Sequence, residues 1–305
     1  MLLSGKGVAL VTGASGLLGT KLVPQLVRRG WRVVAIYNTH RPNYGLTQAN
    51  VKLVKLDIRN RVKLEDLILK TMPEVVIHAA ALTNVDLCEK DKTLAWEVNV
   101  EATKSVVRAS RVVKAHLIYV STDYVFDGER GLYKESDIPS PINYYGMTKL
   151  IAEELVRSAD ILYTIVRTSA IYGVGGSKKS FAEYVAERVT RGEKVKALTD
   201  QYLSPIYNAD LAEAIAEAST LKPMGTYHVA GERVSRFEFA VKIAEALDAR
   251  KDLIMPAKMD DMKSWVARRP RDSSLDVSKA REIIGAGIKP LDDAVRRFAS
   301  EWLGR

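Results

Sequence analysis

Apolar and polar positions alternate in blocks along the first half of the chain. Short β-branched runs at 8–12, 32–37, 51–55, 75–79, 117–121 and 162–167 are separated by stretches with helical spacing at 17–29, 62–70, 93–113 and 143–158. A short continuous apolar run reads as a strand buried on both faces, and strands alternating with helices read as βαβ units. The pattern predicts an α/β protein, a doubly wound parallel sheet with helices on both faces. After residue 172 the regularity weakens. A helix ends near Arg191, a short strand follows at 227–230, and helices occupy 235–247, 278–284 and 291–303, with Pro205, Pro223, Pro256, Pro270 and Pro290 between elements. This part reads as a smaller α/β lobe.

The first strand runs directly into Gly13-Ala14-Ser15-Gly16-Leu17-Leu18-Gly19 and then into a helix. Strand, glycine turn and helix together place an anion at a helix N-terminus, where unpaired N–H groups and the dipole face it. Glycine serves where the backbone turns tightly and approaches a pyrophosphate. The spacing G-x-x-G-x-x-G differs from the G-x-G-x-x-G fingerprint, yet in this setting it predicts dinucleotide binding. A Rossmann-type NAD(P)-binding domain is therefore expected over 1–171. The lobe over 172–305 is expected to be mainly substrate-binding, with part of it returning to the first domain. The glycine turn, Asp57-Ile58, Ala79-Ala80-Ala81 and Ser121-Thr122 all fall at carboxyl ends of predicted strands, the edge where such sheets bind ligands.

Tyr145 and Lys149 stand four residues apart, so on a helix they share one face. A phenol with a reference pKa of ~10 is a weak proton donor or acceptor at neutral pH. An ammonium beside it is expected to lower that value. Thr122, at the end of the fifth run, is placed to hold the oxygen that the phenol protonates. The second strand ends Tyr37-Asn38-Thr39-His40-Arg41, without an acid for a ribose hydroxyl pair. NADPH is therefore expected to bind at least as well as NADH, through Asn38, His40 and Arg41.

Composition narrows the picture without redirecting it. The 305 residues are 47% hydrophobic and 27% charged, as in an ordinary globular protein, and the formal net charge is +9. The cations are dispersed among acids; the densest cluster, Arg268-Arg269-Pro270-Arg271 near Lys263, is too small for a nucleic-acid footprint and is explained at least as well by a diphosphate substrate. No apolar run is long enough to span a membrane, the first strand begins too early for a secretory leader, and Cys88 is the single cysteine. A cytoplasmic protein without disulfides is expected. His40, His78, His116 and His228 lack ligand spacing, so no metal site is expected.

The motifs TGASGLLG (12–19), HAAALTNVD (78–86), STDYVFDG (121–128), YGMTK (145–149), DQYLSP (200–205) and RPRDSSLDVSK (269–279) occur in one order over nearly the whole chain. In this the sequence resembles the extended short-chain dehydrogenase/reductases, and more narrowly the dTDP-4-dehydrorhamnose reductase family. The resemblance implies hydride transfer from a nicotinamide to a ketone of a nucleotide-linked deoxysugar. Tyr145 would protonate the forming alkoxide, Lys149 would tune the phenol and hold the nicotinamide ribose, Thr122 would hydrogen-bond the carbonyl oxygen, and Asp123 would touch the sugar. Gly13, Ser15, Gly16, Leu17, Leu18 and Gly19 would wrap the pyrophosphate. Asp57 and Ile58 would border the adenine, and Ala79, Ala80, Ala81 and Ile171 would line the rest of the cofactor path.

The neighbouring activities differ by residue chemistry. Related dehydratases carry an acid where Tyr124 stands, so dehydration is not expected. Epimerases usually lack the Asp123-Tyr124 pair, which weakens that alternative. The family's reductases often carry a Trp where this chain has Ala170, within Thr168-Ser169-Ala170-Ile171-Tyr172. The regulatory beta subunit of methionine adenosyltransferase is similar in this respect, so an NADP-binding regulatory subunit with a synthetase partner stays open beside the enzyme. Family members are often dimeric, and a homodimer is open here.

Overall fold

The computed structural model describes residues 7–46, 49–284 and 288–304. Strands β1 (Val8–Thr12), β2 (Arg32–Tyr37), β3 (Val51–Lys55), β4 (Val75–His78), β5 (His116–Thr122) and β6 (Tyr163–Thr168) alternate with helices α1 (Gly19–Arg28), α2 (Arg61–Thr71), α3 (Val85–Lys90), α4 (Lys92–Trp96), α5 (Ala102–Val113) and α6 (Tyr144–Arg157). The expected α/β architecture is present, with strand and helix ends displaced by a residue or two.

Two differences matter. The expected helix over 93–113 is α4 and α5 joined by a π turn at Glu97–Glu101, and α3 precedes them. Asn84 and Asp91 cap α3 and α4 by accepting from Leu87 N (3.0 Å) and Leu94 N (2.9 Å). The Asn84 cap starts α3, and the Asp91 cap starts α4 at the head of the expected helix. Beyond β6 lie β7 (Ile171–Tyr172), α7 (Phe181–Thr190), β8 (Val195–Leu198), β9 (Tyr202–Leu203), β10 (Ile206–Tyr207), α8 (Asn208–Leu221), β11 (Gly225–His228), β12 (Val234–Ser235), α9 (Arg236–Ala246), β13 (Ile254–Ala257), α10 (Ser278–Ile283) and α11 (Leu291–Leu303). Helix α8 has no counterpart in the sequence reading. Nine of its residues are buried, so it lacks the one-sided polar stripe that marks a surface helix.

The main sheet has seven strands in the order β11-β6-β5-β4-β1-β2-β3, and all its pairs are parallel. Parallel strands covered on both faces must be apolar throughout, and β5 is buried at every position. The chain winds outward from β1 through β2 and β3, then reverses through β4, β5 and β6, which opens a crevice between β1 and β4 at their carboxyl ends. A second core gathers Tyr172, Val185, Phe239 and Phe298, with the Tyr172 ring 4.9 Å from Phe239 and 5.9 Å from Phe298 between centroids.

Candidate active site

The glycine turn is shaped by what surrounds it. Gly13 has φ +72°, and a Cβ there would lie 2.8 Å from Ala80 N. A Cβ on Gly19 would sit 2.4 Å from Gly13 O. Both positions require glycine. The turn is fastened to the β4 edge by Thr12, whose Oγ1 accepts from Ala79 N (3.2 Å) and Ala80 N (3.1 Å). That leaves the Thr12 proton for His78 Nδ1 at 2.7 Å. Nε2 of His78 then donates to Thr103 Oγ1 (3.1 Å), whose own proton goes to Asn99 O (2.7 Å). The imidazole is neutral: burial, with Lys149 nearby, pulls its pKa down to about 3. Asn99, in the π turn, accepts from Leu82 N at 2.8 Å and donates to Leu82 O (3.2 Å) and Thr148 Oγ1 (3.0 Å). One amide thus ties the loop after β4 to α6, consistent with the tendency of π turns to mark functional positions.

The crevice holds a cavity of about 700 Å³. Gly13, Ser15, Gly16, Leu17, Leu18, Gly19, Asn38, Asp57, Ile58, Ala79, Ala80, Ala81, Thr122, Asp123, Tyr145, Lys149 and Ile171 all line it. His40 and Arg41 do not; they lie exposed beyond the rim. Arg59, which sequence reasoning overlooked, is a cation of the cavity wall. Arg59 donates to the Asp57 carboxylate through Nη2 (2.7 Å) and Nε (3.1 and 3.2 Å), and this pairing lowers the Asp57 pKa. The basic cluster is also used differently from expectation. Arg269 pairs with Asp86 at 2.9 Å, and the cavity wall carries Arg236 in place of the 268–271 arginines. Arg236 Nε donates to Gln201 Oε1 at 2.5 Å.

Tyr145 and Lys149 sit one turn apart on α6, started by the cap from Asn143 to Gly146 N (2.9 Å), and both face the cavity. Their electrostatics depart from the sequence expectation. Burial pushes the Tyr145 phenol above its usual value, opposed chiefly by a hydrogen bond with Thr122, and Lys149 is not what moves it. The reason is the orientation of the amine: Lys149 Nζ donates to Val120 O at 2.8 Å and rests 4.1 Å from the Tyr119 ring centroid. Burial pulls the Lys149 pKa down to about 7, with Glu153 acting against that shift.

Asp123 is held by hydroxyls. Thr122 Oγ1 donates to its Oδ1 (3.0 Å), while Ser169 and Ser273 donate to Oδ2 (2.8 and 2.6 Å). Burial raises its pKa against these three donors. Ser273 belongs to the RPRDSS segment, so the end of β5 is tied to a segment 150 residues away. Asn208, at the start of α8, donates to Leu17 O (3.0 Å) and Val174 O (3.2 Å) and joins the glycine turn to the chain beyond β7. No local sequence signal marked Asn99 or Asn208, and Ser273 stood in the RPRDSSLDVSK motif without a role. Among the described residues no group of three or more His, Cys, Asp or Glu is placed to hold a metal, and no helix is long and apolar enough to cross a membrane.

A wound parallel sheet that brings a glycine turn and a Tyr145/Lys149 pair into one cavity defines an NAD(P)H-dependent oxidoreductase of the extended short-chain kind. The RmlD substrate binding domain family matches residues 8–303, and the chain belongs to that family. The probable low-salt glycan biosynthesis reductase Agl14 of Haloferax volcanii is 34% identical over 290 residues, 93% of this chain and 95% of its own length. The methionine adenosyltransferase 2 subunit beta of Pongo abelii is 32% identical over 286 residues, covering 91% and 82%. A hypothetical dTDP-4-dehydrorhamnose reductase from Sulfolobus tokodaii has a TM-score of 0.83 at 42% identity, covering 93% of this chain and 98% of its own. The dTDP-4-dehydrorhamnose reductase of Bacillus anthracis, in complex with NADP, has a TM-score of 0.82 at 31% identity, covering 97% and 99%.

Proposed function

We propose that the protein uses NADPH or NADH to reduce the 4-keto group of a nucleotide-diphosphate-linked deoxysugar, acting as a dTDP-4-dehydrorhamnose reductase of dTDP-L-rhamnose biosynthesis. One observation carries this: Thr122, Tyr145 and Lys149 line the same cavity as the glycine turn. The residues suit a dinucleotide. The turn offers N–H groups at the start of α1 for a pyrophosphate, and Leu56, Ile58 and Ala80 supply apolar wall for a base. When bound, the nicotinamide supplies the hydride.

The chain's own part is proton delivery and positioning. Burial raises the Tyr145 pKa, so the phenol holds its proton through the neutral range and would release it only to a stronger base such as a forming alkoxide. It gives its proton to the substrate oxygen as negative charge develops there. Thr122, hydrogen-bonded to the phenol, would orient that proton, and Lys149, lining the cavity, would hold a ribose hydroxyl. Exposed Ala170 leaves the sugar site without an aromatic platform, so polar groups such as Gln201, Ser273 and Arg236 would hold the sugar diphosphate.

The test is purified protein with either cofactor and a panel of nucleotide 4-keto-sugars. Turnover is expected, and Tyr145→Phe should reduce kcat by about 10²-fold or more while cofactor binding persists. The 32% identity to a methionine adenosyltransferase beta subunit, together with Ala170, favours a second reading as an NADP-binding regulatory subunit. Tight cofactor binding without turnover of any sugar, and co-purification with a larger synthetase, would decide for that reading.

A further inference from the structure

Below the cavity a third side chain continues the line of Tyr145 and Lys149. Glu153 stands one helical turn beyond Lys149 on the same face of α6, with a side chain that is 0% exposed. The two residues straddle the end of β5: Lys149 donates to Val120 O at 2.8 Å, and Ser121 Oγ donates to Glu153 Oε1 at 2.5 Å. The carboxylate is further held by Arg167, through Nε (3.0 Å) and Nη2 (2.8 Å), and by Arg157 Nη2 (2.6 Å). Arg167 is itself only 2% exposed. A buried carboxylate with four donors is ionised in spite of its burial, and its pKa is lowered accordingly.

The groups around the Lys149 amine are few. His78 of β4 is neutral, Tyr119 of β5 offers its ring, and Tyr145 of α6 is a protonated phenol. Arg167 of β6 and Arg157 of α6 stand on the far side of the Glu153 carboxylate. Among the described residues, Glu153 is the neighbouring group whose charge favours an ammonium. We propose that Glu153 is a positioning residue of the site: its carboxylate, fixed by Arg167 and Ser121, keeps Lys149 charged while that amine lies buried in the cavity wall. A charged Lys149 gives the reaction a fixed cation for the ribose; only this consequence rests on the reductase reading.

The test follows the Lys149 charge directly. Protein carrying ¹³C-labelled lysine is titrated by NMR, with the Lys149 signal assigned from its loss in Lys149→Met. Glu153→Gln should lower the Lys149 midpoint by about one pH unit or more. Glu153→Asp, which keeps the charge, should bring the midpoint back towards that of the parent protein. Because Glu153→Gln leaves Arg167 facing no carboxylate, the pair variant Glu153→Gln/Arg167→Met guards against unfolding. It should shift the midpoint downward by less. An unmoved midpoint in a folded variant, or an equal shift in Glu153→Asp, overturns the proposal. In a turnover assay, activity lost by Glu153→Gln at neutral pH should return on acidification, whereas a purely structural defect gives the same loss at every pH. If the parent protein reduces no sugar, the reductase reading fails while the titration still decides the role of Glu153.

Discussion

Thr12 Oγ1 shows how much one hydroxyl can organise. It accepts from two backbone amides of the loop after β4 and donates to His78. Thr12→Val keeps the shape and strands all three partners, so a loss of about 2–3 kcal/mol is expected. Chemical denaturation checks this; Thr12→Ser should recover most of the loss, and a cofactor titration should weaken in parallel. Tyr145, Lys149 and Thr122 were visible in sequence because their signals are short-range: a spacing of four and a hydroxyl at a strand end. The Thr12–His78 and Asp123–Ser273 bonds were not, since their partners lie 66 and 150 residues apart. The electrostatic expectation for the phenol erred for a related reason, because spacing reports that two groups share a face and says nothing of burial or where an amine points.

Among the elements, the six strands of the first half were legible because a sheet covered on both faces writes continuous apolar runs. Helix α8, buried on most sides, and the paired strands of two residues each carry no comparable period. The π turn was hidden inside a stretch that looks uniformly helical. The contact of two motif segments yields a prediction at this scale. Gly128, closing STDYVFDG, has φ +82°, and a Cβ there would lie 2.2 Å from Pro270 Cβ in RPRDSS. Gly128→Ala must therefore push the two segments apart, at a cost of about 2 kcal/mol or more. A lowered thermal midpoint should come with weakened nucleotide-sugar binding, while cofactor affinity should hold.

For the whole molecule, three histidines buried in neutral form set the response to acid. Burial pulls His78 down to about 3, and His116 and His228 to about 4, from the ordinary 6.5. The folded values lie below the unfolded one, so as the pH falls through about 6.5 the unfolded chain takes up protons that the folded chain does not. Stability is complete above that pH and declines towards pH 4, by about 1.4 kcal/mol per pH unit for each group. Urea midpoints measured from pH 7.5 to 4.5 should fall steadily, and His228→Gln should flatten the slope; a flat profile in the parent protein would refute this account.

Strand β11 carries a consequence for how the polypeptide is assembled. It pairs with β6 as the border of the large sheet, yet it follows β7 to β10, α7 and α8 in the chain. During synthesis, β6 therefore leaves the ribosome with its outer row of amides and carbonyls unsatisfied until Gly225–His228 emerges. A truncated N-terminal half would expose that row to other chains and would tend to aggregate, so the first half of the sheet depends on sequence from much later in the chain for its finished rim.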